Sequence, residues 1–255
     1  MRLAYEDVMQ RAHRRLAQSD FRALAGALKM GAMHATPIAI RRTADLRLRS
    51  RGGPIPVRVR WPGSPVLGSP PPVVVVLADP SGTTAAMADD ALCDELCAGL
   101  GALVLRASWT GRRDETPESA LERAAGALEW AADHAVELDG DPRRVLVAGR
   151  DRAAAAASGL ALRARDHGWP HLVGQVLVLT RPCPGDREMT PAPTAPSPPA
   201  AATIVTSLAG SGCSHRLRAE GARVTEIIDA RVDPGAYPEQ PFLPALTELL
   251  RRSLR

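Results

Sequence analysis

Between residues 72 and 228 the chain repeats one unit: a short apolar run, then a stretch long enough for a helix. The run Val73-Val74-Val75-Val76-Leu77-Ala78 is apolar at every position. A strand with one face in water alternates apolar with polar residues, so a strand apolar throughout must be covered on both faces. Helical crossovers supply that cover, and the repeat therefore predicts a mostly parallel sheet between two helical layers. The spacing places strands over Val73–Ala78, Ala102–Ala107, Arg144–Gly149, Leu172–Thr180, Thr203–Ser207 and Val224–Ile228. Helices fall at 88–99, 118–137, 152–167, 213–220 and 241–253. Upstream, Asp45–Ser50 and Ile55–Trp61 alternate apolar and polar residues about Gly52-Gly53-Pro54, as an antiparallel hairpin does. The expected class is α/β, with a roughly eight-stranded sheet that opens on an antiparallel hairpin and carries helices on both faces.

Two segments stand apart from this pattern. Residues 1–40 read as a helical segment, because Val8, Ala12, Leu16, Leu24, Ala27 and Leu28 form an apolar stripe over 4–33. Residues 41–255 read as one domain. Inside it, 181–202 holds so many prolines that regular structure is forbidden, and a mobile surface loop is expected there.

Composition narrows the function classes. Aromatic residues make up 3% of the chain, too few for a base-stacking platform. The net charge is +4, but residues 1–60 hold 13 basic and 4 acidic residues. Lys29 is the sole lysine, which fits an arginine-biased coding composition better than a nucleic-acid surface. No apolar run reaches the ~18 residues of a membrane span, and the first residues lack the apolar core of an export signal. A cytoplasmic location is expected. Cys93, Cys97, Cys183 and Cys213 are too few for a disulfide scaffold. Cys93 and Cys97 share one helix face and read as buried small residues; no metal set and no cofactor fingerprint appears. His134 is expected in solvent, and Ser158 inside a helix.

The residues resemble a known family. Asp89-Asp90-Ala91-Leu92-Cys93-Asp94-Glu95-Leu96 is similar to the first crossover helix of the bacterial carboxylesterases of the hormone-sensitive-lipase group. The stretch 120–135 resembles the helix before their nucleophile strand, and Asp139-Gly140-Asp141-Pro142-Arg143-Arg144-Val145-Leu146-Val147-Ala148-Gly149 resembles that strand. Gly159–Asp166 resembles the helix behind the nucleophile, so the pattern runs nearly unbroken from 42 to 180. The resemblance implies an α/β-hydrolase fold, an N-terminal cap-like role for 1–40, and 181–202 in place of the family's cap insertion.

At the catalytic positions the sequence departs from that family. Where the family writes Gly-Asp-Ser-Ala-Gly-Gly, this chain writes Gly149-Arg150-Asp151-Arg152-Ala153-Ala154. The oxyanion loop, glycine-rich in the family, reads Ala78-Asp79-Pro80-Ser81-Gly82, and Pro80 has no N–H to donate. The next family motif survives only as Trp109 and Asp114 within Ser108–Asp114. The acid loop reads Ser207–Gly212 without a carboxylate, and no histidine follows His215. Two guanidinium groups beside Asp151 are expected to pair with its carboxylate and weaken it as a nucleophile.

The main expectation is therefore a catalytically inactive relative, a pseudo-esterase that binds or scaffolds. Its partner would be a second copy, an active paralogue, or a small anion held by Arg150, Arg152, Arg112 and Arg113 beside Trp109. Two alternatives stay open. One is a weak carboxylesterase or other hydrolase of that family. The other is anionic-ligand or nucleic-acid binding through arginine-rich surfaces, with nucleic acid the less favoured.

Overall fold

The computed structural model describes residues 40–50, 53–63, 70–78, 83–108, 116–179, 201–206, 212–228 and 242–254. All of them belong to one compact unit, Ile38–Arg255. The expected helix at 4–33 and nearly all of the proline-rich stretch lie outside the described residues.

Eight strands form one sheet in the order β1-β2-β4-β3-β5-β6-β7-β8. They are β1 (Ile40–Leu48), β2 (Ile55–Pro62), β3 (Pro72–Ala78), β4 (Leu103–Ser108), β5 (Asp141–Arg150), β6 (Leu172–Leu179), β7 (Ala201–Thr206) and β8 (Val224–Ile228). The helices are α1 (Thr83–Ala98), α2 (Pro117–Asp133), α3 (Arg152–His167), α4 (Gly212–Ala219) and α5 (Leu243–Ser253). β1 is antiparallel to β2 and β2 to β4, and every later pairing is parallel. The fold class expected from the apolar runs is the one observed.

β3 shows why the runs had to be continuous. It lies between β4 and β5, and all seven of its residues are buried. Val73, Val75 and Leu77 join a core with Leu128 of α2 and Leu160 of α3. Val74 and Val76 join a second core with Leu92 and Leu96 of α1 and Leu246 and Leu250 of α5. Side chains alternate between the faces with period two, so both faces demand apolar residues. Each such side chain contributes about 1.5–3 kcal/mol when fully buried.

Several boundaries differ from the sequence reading. α1 begins at Thr83 rather than 88, and α2 ends at Asp133 rather than 137. The start of α2 is fixed by Thr116, whose Oγ accepts the Ser119 N–H at 3.2 Å, with Pro117 in the first turn. Its end is a run of turns through 139 that leads into β5. β7 takes in Ala201 and Ala202, which the sequence reading gave to the loop. They carry N–H groups, which the prolines before them lack, and pair with Gly174 and Gln175 of β6.

α1 is tied to the sheet by charge as well as by apolar contact. Arg60 of β2 has a side chain 5% exposed and donates to Asp90 at 2.5 Å and to Asp94 at 2.8 Å. Arg106 of β4 stands 3.5 Å from the same Asp90. Arg60 is buried while Asp90 and Asp94 are 37% and 54% exposed, so water screens these pairs from the acidic side only.

Candidate functional site

The site-bearing turn is the junction of β5 with α3. β5 ends at Arg150, α3 begins at Arg152, and Asp151 alone makes the turn, with φ 49° and ψ −111°. A positive φ at a residue with a Cβ costs of order 1–3 kcal/mol and persists only where the surroundings enforce it. The enforcement is visible. The Asp151 N–H donates to the Val178 carbonyl at 2.8 Å, and its own carbonyl accepts from Ala154 at 3.1 Å and Ala155 at 3.3 Å. Gly149 completes the turn. A Cβ there would lie 2.2 Å from the Ala153 carbonyl oxygen and 2.4 Å from its carbon. The first turn of α3 thus closes directly over Gly149, and Ala153 and Ala154 are buried beneath it. This is a strand-to-helix elbow, which projects the side chain of its tip away from the sheet.

The flanking arginines part company. Arg150 turns to α1, where its Nε stands 3.6 Å from Asp89 Oδ1, with side chains only 11% and 4% exposed. Its charge is thereby matched from α1, a partner that the sequence reading did not foresee. Arg152 is exposed on the first turn of α3, and Asp151 between them is half-buried. Of the anion-binding set, the structure therefore places Arg150 inward on Asp89 and Arg152 outward. Arg112, Arg113 and Trp109 lie outside the described residues. So do Asp79, Pro80, Ser81 and Gly82 of the oxyanion stretch. Ala78 is described, buried at the end of β3 and paired with Ser108.

Other candidates resolve more simply. Cys93 and Cys97 are free thiols buried in the core of α1, and burial pushes both thiols up, Cys97 to about 12. Neither is a thiolate at neutral pH, so neither is a nucleophile. Ser158 is buried in α3, as expected. His134 corrects an expectation. It is half-buried rather than in solvent, stacked 4.6 Å from the Trp130 ring with its Nδ1 3.0 Å from the Trp130 carbonyl. The indole one turn back offers an apolar face that the imidazole covers. The arginines of the hairpin are largely matched too. Arg41 reaches Asp139, Arg58 reaches Asp45, Arg60 reaches Asp90 and Asp94, and Arg42 sits 3.9 Å over the Trp61 ring. Arg41, Arg58 and Arg60 are thus offset by carboxylates of this chain.

The ion pairs of α1 were missed at the sequence level, although a signal exists. Asp90 and Asp94 are four apart and share a helix face, while Arg58 and Arg60 share a strand face. The strand order that brings β2 and β5 under the same helix is not in that spacing. Among the described residues no group of three or more His, Cys, Asp or Glu could hold a metal ion. No described helix is long and apolar enough to cross a membrane.

An open sheet of this order, with an elbow at the end of β5, defines an α/β-hydrolase. A model of the alpha/beta hydrolase fold matches residues 81–224, and the chain belongs to that family. It is carboxylesterase-like in sequence. It is 31% identical over 140 residues to Esterase LipI of Mycobacterium tuberculosis, covering 53% of this chain and 43% of that protein. It is 32% identical over 124 residues to Carboxylesterase NlhH of the same organism, covering 48% and 38%. The chain spans less than half the length of these curated relatives. The fold is shared with a thermostable carboxylesterase, EstE1, from a metagenomic library, at TM-score 0.69 and 20% identity over 95% of this chain and 96% of that one. It is shared also with esterase LipW of Mycobacterium marinum, at TM-score 0.64 and 22% identity over 99% and 90%. The second reading of the sequence, a hydrolase of the hormone-sensitive-lipase-like family, has these similarities behind it. Inactivity has no finding behind it and rests on the chemistry of the elbow.

Proposed function

We propose that this hydrolase-family domain binds rather than hydrolyses, with the elbow kept as a structural turn. The observation that carries the reading is Asp151 at the elbow tip, where the family's acyl transfer uses a serine hydroxyl. A carboxylate attacking an ester carbonyl forms a C–O bond to give an acyl anhydride and expels an alkoxide. The attacking group has a conjugate-acid pKa of about 3.9, and the leaving alkoxide is close to water at about 15.7. That gap of about 12 units favours reversal by about 16 kcal/mol, at 1.36 kcal/mol per unit. The stretch Asp229–Gly235, which matches the family's histidine turn, holds no histidine to take up or return a proton. The exposed Arg152 at the elbow supports a small carboxylate or phosphate as ligand, and a second copy or an active family member is the protein partner this reading admits. The free thiols of Cys93 and Cys97 are in keeping with a reducing, cytoplasmic compartment.

A second reading is hydrolysis. It draws support from the relatives' names, esterase and carboxylesterase, and from the strained backbone at Asp151. Strain of this kind gathers at functional positions. The experiment is acid release from ethyl acetate and ethyl butyrate, alkyl esters with the alkoxide leaving group just considered, by the wild type, Asp151→Asn and Asp151→Ala. No turnover above buffer in all three is the expected result. Turnover that both variants lose while still folded would overturn the binding reading and make Asp151 the reacting group.

A further inference from the structure

No further inference is drawn: the strongest candidate, the side-chain cluster of Arg60, Arg106, Asp90 and Asp94 beside Cys93 between α1 and the β2–β4 corner of the sheet, is a set of ion pairs within this chain that belongs to the packing already described and shows nothing that points to a ligand.

Discussion

Gly149→Ala and Gly159→Ala make a matched pair of substitutions ten residues apart in sequence, with opposite expected signs. At Gly149 the added methyl would meet the Ala153 carbonyl oxygen at 2.2 Å, its carbon at 2.4 Å and the Ala154 nitrogen at 2.8 Å. All three are backbone atoms of the first turn of α3, so no rotamer change relieves the overlap. Carbon atoms in contact rest about 3.5–4.0 Å apart. Either β5 or α3 must shift by an ångström or more, in a core already packed to crystal-like density. The expected cost is about 3 kcal/mol or more, at and beyond the upper end of overpacked cores. For a chain of this size that lowers Tm by about 6–12 °C. At Gly159, inside α3, the same methyl meets only Leu121 Cδ1 at 3.7 Å and Cδ2 at 4.0 Å, ordinary contact. There alanine gains its helix preference over glycine, about 1 kcal/mol, and raises Tm by about 2–4 °C. Thermal melts and urea titrations followed by far-ultraviolet circular dichroism read both values. A Gly149→Ala protein melting within about 2 °C of wild type would mean that the elbow does not close over Gly149, and the derivation of the site would fail with it.

Three further outcomes are expected. Asp90→Asn with Asp94→Asn leaves the buried Arg60 guanidinium without its counter-charges and costs about 1–3 kcal/mol in urea unfolding, less than a fully buried pair because Asp90 and Asp94 are 37% and 54% exposed, whereas Arg60→Met is near neutral or stabilising; equal losses in the two would show that the ion pairs contribute nothing specific. Acid stability follows from Asp141 and Glu248. Burial pushes the Asp141 carboxyl up, but the Arg143 N–H and the Arg144 guanidinium outweigh it and hold it below its ordinary 3.8. The Arg252 hydrogen bond, with Arg251 adding to it, holds Glu248 below 4.5 against a smaller effect of burial. Depressed folded values mean that this stabilisation is complete above the unfolded values and is lost as pH falls through the folded ones. Unfolding midpoints therefore drop below about pH 4.5, and Asp141→Asn with Glu248→Gln flattens that limb; an unchanged slope would refute the assignment. In a Cys183→Ser, Cys213→Ser background, Cys93 and Cys97 stay unreactive toward a disulfide reagent at pH 8 until denaturant is added, and immediate labelling of the native protein would contradict their burial.

The layered α/β class was legible because it is enforced one residue at a time. A strand such as Val73–Ala78 has no polar face to give to water, so its sequence alone demands cover on both sides. The hairpin was legible from the opposite pattern, alternation about a glycine-proline turn. Helix ends were read less well. The start of α1 and the end of α2 depend on local hydrogen bonds and packing that periodicity does not encode.

The elbow divides along the same line. That residue 151 is an aspartate between two arginines, and that no histidine follows His215, are facts of the sequence, and they govern what chemistry the turn can do. That Asp151 holds a positive φ, that Gly149 lies under the first turn of α3, and that Arg150 turns away to Asp89 were decided by the tertiary structure. The reason is physical. Arg150 and Asp89 are 61 positions apart in the chain and meet only because the strand order sets α1 against the end of β5. Charge pairing falls off with distance and screening, so which arginine lies buried against Asp89 and which is exposed is settled by what lies alongside it after folding.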